Sequence, residues 1–227
     1  MRKLFSIFFI LISMVVIAQP QFHSLRFRFT FNGEDLELQK SCFSEAINDS
    51  IKLETAKFYV SNVHFKKGGN IVDTTSKRFY LIDLENKFSR DISFSSLAVK
   101  SSDTLEFAIG IDSLTNVSGA MGDALDPMNG MYWAWQSGYI NFKIEGISKI
   151  CKTRNNVFQY HVGGYSSPNA TIQHFKFAIA KTDNVTIEIP LDDLLERIDI
   201  RTTNEVMSPS AKSTQIANQF SEIIQIK

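Results

Sequence analysis

Trp133 and Trp135 are the only tryptophans of the 227-residue chain, and they stand two residues apart in the block Met131-Tyr132-Trp133-Ala134-Trp135-Gln136-Ser137-Gly138-Tyr139. An indole buries a large area and carries one N–H donor, so two in so short a run suit a built site or, equally, the cap of a β-core. The chain has four histidines, His23, His64, His161 and His174. An imidazole on a strand most often serves as a hydrogen-bonded structural residue. His161 stands out because it lies on the strand face opposite Phe158, Tyr160 and Val162 and just before Gly163-Gly164. His64, near the end of the run from Phe58 to Phe65, is second. Copper accepts imidazole and thioether donors, so one or two of these histidines with Met121, Met128 or Met131 compose a soft donor set. Spacing alone does not assemble it.

The familiar catalytic signatures are missing. There is no Gly-rich phosphate loop, no Gly-x-Ser-x-Gly elbow, no His-Glu-x-x-His helix and no cluster of cysteine ligands. Asp192-Asp193 falls at an expected helix start, where carboxylates meet the helix dipole favourably. Four Asn-x-Ser/Thr triplets begin at Asn48, Asn116, Asn169 and Asn184, a pattern that matters only on a eukaryotic secretory route.

The elements that must position these residues read as strands almost throughout. Leu25 to Phe31 alternates apolar and polar residues, Asn32-Gly33 marks a turn, and Leu36 and Leu38 resume the alternation, which predicts a hairpin. Phe58 to Phe65, Phe79 to Leu84 and Leu105 to Ile111 follow as strands. After the tryptophan turn, Ile140, Phe142 and Ile144 share one face while Asn141, Lys143 and Glu145 share the other. Phe158 to Val162, Phe175 to Ile179 and Val185 to Ile189 complete the series. About eight to ten strands at this spacing predict an all-β fold, a single antiparallel β-sandwich of immunoglobulin or cupredoxin outline. One or two short C-terminal helices are added. Leu191, Leu194, Leu195 and Ile198 recur at helical spacing after Pro190, and Ile216, Phe220, Ile223 and Ile224 do so after Pro209, with Ser210 or Ser213 as the cap.

Residues 1–18 read as a cleaved signal peptide. Arg2 and Lys3 precede an apolar run from Leu4 to Ile17, with Val16 and Ala18 at the cleavage point. That run is short for a bilayer span and no later segment is long enough, so stable membrane insertion is not expected. The mature chain, residues 19–227, then carries 22 basic against 24 acidic residues, a formal charge of −2. This balance argues against nucleic acid as a partner, and the length fits one domain. Cys42 and Cys151 are the only cysteines. In an exported protein they favour a structural disulfide over two free buried thiols, although no spacing rule pairs them.

The blocks Lys57-Phe58-Tyr59-Val60-Ser61-Asn62-Val63, Phe107 to Asp112, Ala124-Leu125-Asp126-Pro127, Met131 to Gly146 and Phe158 to Gly163 occur in this order. Together they resemble the MbnP-like family of exported copper-binding proteins, first associated with methanobactin gene clusters. The resemblance runs from about Leu25 to the C-terminus, and the Met-Tyr-Trp-Ala-Trp-Gln-Ser-Gly-Tyr block is its most specific part. It implies a β-rich, non-enzymatic copper capture or delivery module, periplasmic or secreted. It also implies that a partner dihaem oxidase of the cytochrome c peroxidase type oxidises a tryptophan to kynurenine, which joins histidine in holding copper. Carried onto this sequence, Trp133 and Trp135 are the candidates for oxidation, with Trp133 favoured, and His161 is the best-matched ligand. On an extended strand the two indoles share a face, so the unmodified one would shield the metal or carry an electron hole to the surface. Related proteins place a histidine near the modified residue where Trp135 stands here. The alternative is a metal-free β-sandwich recognition module whose aromatic patch binds a protein or glycan.

Overall fold

The structure is a computed structural model that describes residues 23–94, 101–136, 138–180 and 184–227. The expected signal segment, residues 1–18, lies outside the described residues. The strands in chain order are β1 (His23–Phe31), β2 (Glu34–Asp35), β3 (Ser41–Ser44), β4 (Asp49–Lys67), β5 (Asn70–Thr74), β6 (Phe79–Asp83), β7 (Asp91–Phe94) and β8 (Thr104–Ile109). They continue with β9 (Tyr132–Trp133), β10 (Gly138–Ser148), β11 (Val157–Gly163), β12 (Gln173–Ala178), β13 (Asn184–Pro190), β14 (Glu205–Val206) and β15 (Gln225–Ile226). Among the described residues, the α-helices α1 (Ser113–Val117), α2 (Leu191–Arg197) and α3 (Ala211–Ile223) join them.

The strands form two sheets. The smaller runs β15-β13-β1-β2, with β7 also on β1, and the larger runs β12-β8-β4-β10-β11-β14. The expected sandwich with C-terminal helices is therefore present. Two of its pairings depart from the antiparallel expectation, since β1 runs parallel to β13 and β11 parallel to β14. The Asn32-Gly33 turn joins β1 to β2 as read from the sequence. Both residues adopt positive φ, 52° and 78°, the backbone that a two-residue hairpin turn requires.

The organising strand is β4, whose 19 residues pair with β10 and then β8 along one edge, and with β3, β6 and β5 along the other. Its residues buried in the main core fall at 51 and 53, then 56, 58 and 60, then 63 and 65. Each break in parity coincides with a register shift against β10 or β8. A bulge adds one residue to one strand and so returns the next apolar side chain to the same face. Alternation alone therefore reveals only the stretch from Phe58, and the first third of the strand is hidden.

The main core fills the space between the sheets. Phe27 of β1 meets Phe58 of β4 edge-on at 5.5 Å, and α3 closes one side by stacking Phe220 on Phe142 at 4.4 Å. Helix α3 starts as expected, with Ser210 and Ser213 capping each other's backbone N–H. Leu191, Leu194 and Leu195 of α2 are buried in the same core.

Candidate functional site

Because Phe142, Ile144, Tyr160 and Val162 point into the main core, strand alternation sends Lys143, Glu145 and His161 to the outer face of the larger sheet. Register then aligns His161 of β11, Lys143 of β10, Lys57 of β4 and Asp83 of β6 in one row. Glu145 sits in the next row, opposite Thr55. The His161 Nε2 lies 2.6 Å from Glu145 Oε1, the Lys143 ammonium 3.5 Å from the same oxygen, and Lys57 Nζ 2.9 Å from Asp83. The hydrogen bond from His161 pulls the Glu145 carboxyl down to about 2, against the opposing push of burial and with help from Lys143.

A carboxylate that is ionised can only accept a hydrogen bond, so Nε2 of His161 carries the proton that Glu145 holds. In the neutral ring the lone pair then lies on Nδ1. Metal-binding histidines are commonly oriented in this way, one nitrogen held by a carboxylate and the other free to donate. Sequence alternation places Glu145 and His161 on outward faces but carries no cross-strand register, which only the pairing of β10 with β11 supplies.

On the next rows of this face lies a second, separate core made of Tyr59, Ile111, Leu125, Met131, Trp133, Tyr139 and Ile140. The segment from Ile111 to β9 folds over the sheet to build it. Asp112 caps α1 by accepting from the Thr115 N–H at 2.9 Å. Asn116 then spans the segment, donating to the Ile111 carbonyl and accepting from the Tyr139 N–H at 2.8 Å. The Tyr139 hydroxyl accepts from the Met121 N–H and reaches the carbonyl oxygens of Leu125 and Gly119. Asn141 ties β10 to the end of β8 by accepting from the Ile111 N–H and donating to Thr171.

Trp133 ends β9 and faces Gly138 across the hairpin. It is 6% exposed, and its six-membered ring lies over Gly163 of β11. His161 is two residues before Gly163 on the same strand face, so the indole lies over the position next along β11 from the imidazole. His161 itself is 7% exposed. The extended course that would put Trp133 and Trp135 on one strand face is not realised. The chain turns after β9, and Trp135 is 66% exposed with its ring 6.0 Å from that of Trp133.

The structure gathers Trp133, Trp135, Met131 and His161, and separates the other candidates. Met131 is fully buried in the small aromatic core, while Met121 and Met128 are exposed on the covering segment. His64 shares the outer face but is seven residues beyond Lys57 on β4, roughly 20 Å away at strand rise. Its Nδ1 is buried without a hydrogen-bond partner, yet that distance removes it from any site containing His161. His174 is exposed on β12.

The expected Cys42–Cys151 bridge is not formed, and both thiols are free. Cys42 of β3 pairs with Ile51 of β4, and Ser148 of β10 pairs with Ile51 from the other side. With β4 between them, β3 and β10 stand about 10 Å apart, and Cys151 follows in the connection after β10 ends at Ser148. Cys151 is buried with Sγ 3.5 Å from the Ile200 carbonyl.

Among the described residues, no group of three or more His, Cys, Asp or Glu side chains is gathered as a metal site. The unmodified side chains thus offer one oriented imidazole beside a buried indole. Ring opening of that indole to kynurenine would add an aromatic amine and a carbonyl, nitrogen and oxygen donors that suit copper.

A two-sheet β-sandwich with a second aromatic core on its outer face, bordered by a carboxylate-held histidine, defines a β-sandwich protein with one surface-adjacent aromatic site. The chain belongs to the MbnP family, whose model matches residues 20–208. Among solved structures, it is similar to MbnP from Methylosinus trichosporium, with a TM-score of 0.58 and 15% identity over 91% of this chain and 98% of that one. At that identity the likeness is one of fold. No curated protein gives a significant match. Helix α3, beyond the matched span, nevertheless supplies Phe220 to the main core.

Proposed function

We propose that this protein is a non-enzymatic copper-binding module, exported after loss of residues 1–18, that captures or delivers copper. On this reading Trp133 is the substrate of a dihaem oxidase of the cytochrome c peroxidase type, and its kynurenine product completes a site with His161. The carrying observation is the placement of a buried Trp133 beside an imidazole whose Nε2 proton is held by Glu145. Family membership supports copper as the cargo, since MbnP proteins are associated with methanobactin and copper. The metal would be held by Nδ1 of His161 and by the amine or carbonyl of the modified residue, with Glu145 fixing the ring. Copper retention then depends on modification, because among the described residues no group of three or more His, Cys, Asp or Glu side chains is gathered around His161.

The test is to purify the mature protein from its native source, sequence the peptide spanning Trp133 and Trp135 by mass spectrometry, and measure copper after dialysis. The expected result is a Trp133 that has lost one carbon and gained one oxygen, with copper retained. Intact indoles and no retained copper would sink the reading. Substitution of His161 by Ala should abolish copper retention in modified protein, and unchanged binding would remove it from the site.

A second reading draws on the exposure of Trp135, 66% accessible with its ring 6.0 Å from that of Trp133. An aromatic patch of this kind suits recognition of a protein or glycan with both indoles unmodified.

A further inference from the structure

Trp133 and Trp135 form a path from interior to surface. Trp133 is 6% exposed and enclosed by the small aromatic core, whereas Trp135 is 66% exposed. The ring centroids are 6.0 Å apart with planes inclined at 49°. An oxidant held outside the protein therefore meets Trp135 first.

The other aromatic branch leads inward, from Tyr132 to Tyr139 at 5.0 Å and from Tyr139 to Tyr59 at 5.8 Å. A phenol gives up an electron readily only where its proton can leave at the same time. The Tyr139 hydroxyl faces carbonyl oxygens and a backbone N–H, none of which takes a proton, and the buried Tyr59 hydroxyl has no hydrogen-bond partner. Burial also raises both phenols above their ordinary range. An indole radical cation needs no immediate proton acceptor, so positive charge placed on the tryptophan pair does not pass inward to Tyr139 or Tyr59.

We infer that Trp135 is a one-electron relay, the surface port through which Trp133 is oxidised by a partner too large to reach it. Trp135 gives one electron to the external oxidant, which is reduced. The resulting Trp135 radical cation takes one electron from Trp133, returning Trp135 to its starting state and leaving the hole on Trp133. This inference rests on Trp133 being the oxidised residue, and its test does not need the partner enzyme.

The mature full chain would be oxidised with photogenerated ruthenium(III) tris-bipyridine in aerated buffer. Oxygenation at each indole would be followed by fragment-ion mass spectrometry and the indole radical by transient absorption. The expected result is that Trp135→Phe lowers oxygenation of Trp133 by an order of magnitude, while Trp135→Tyr, still oxidisable and solvent-exposed, restores part of it. Both variants should keep the wild-type melting temperature and near-ultraviolet circular dichroism. Oxygenation of Trp133 at the wild-type rate in folded Trp135→Phe overturns the relay, as does wild-type protein oxygenated at Trp135 alone. Intact Trp133 in native-source protein would instead overturn the proposed function while leaving the photochemical result standing.

Discussion

The indole of Trp133 fills the space that a side chain at Gly163 would occupy. A β-carbon built on Gly163 would stand 2.7 Å from Cζ3 and 3.0 Å from Cη2 of that indole, and 2.5 Å from the Tyr139 carbonyl oxygen. The lack of a side chain at Gly163 is thus what lets the Trp133 ring approach β11 so closely.

Gly163→Ala should therefore displace Trp133 and destabilise the fold by about 1–3 kcal/mol, the usual cost of overpacking. Chemical denaturation gives the stability, and the Trp133 emission should shift to the red as the ring moves toward water. A variant with wild-type stability and emission would show that the ring does not depend on this contact.

The pairing of His161 with Glu145 should be read in acid. The Glu145 carboxyl titrates at about 2 when folded, against 4.5 as its ordinary value. Between those values the unfolded chain takes up the proton first, so stability from this group is full above pH 4.5 and disappears as pH falls toward 2. Its full size is on the order of 2–3 kcal/mol. The stability difference between wild type and Glu145→Gln should shrink steadily over this window. Equal differences at both ends would mean that the carboxylate is not held as described.

Phe220 tests whether α3, outside the family-matched span, belongs to the folding unit. It stacks on Phe142 at 4.4 Å and is 1% exposed. Phe220→Ala should cost about 3–5 kcal/mol, and the loss should appear as a single shifted unfolding transition. A separate early transition, with the sheets unaffected, would make α3 an appendage.

Thiol titration of denatured, unreduced protein should find both Cys42 and Cys151 reactive. In the folded state Cys42, half-buried near the sheet edge, should react well before the buried Cys151. Finding no free thiol would contradict the unbridged state of the two cysteines.

The strands that were legible in advance are those with uninterrupted alternation, such as Leu25 to Phe31 and Phe158 to Val162, because a period of two needs no knowledge of neighbours. The first third of β4 was not legible, since a bulge breaks that period and only the partner strand shows that the apolar face continues. Helix α3 was readable from its apolar spacing and its serines. Helix α1 was not, because five residues with Leu114 and Val117 turned outward carry no apolar stripe.

The sequence by itself determined the all-β class, the C-terminal helices and the concentration of unusual chemistry in Trp133, Trp135 and His161. These depend on composition and short-range periodicity, which are properties of the chain taken in order. Only the tertiary structure decided that Glu145 holds His161, that His64 lies far from it and that the two cysteines are kept apart. It also decided that one tryptophan is buried against Gly163 while the other faces solvent. Each of these follows from strand register and from a turn that reverses the chain after Trp133, and register is fixed by packing between segments distant in sequence.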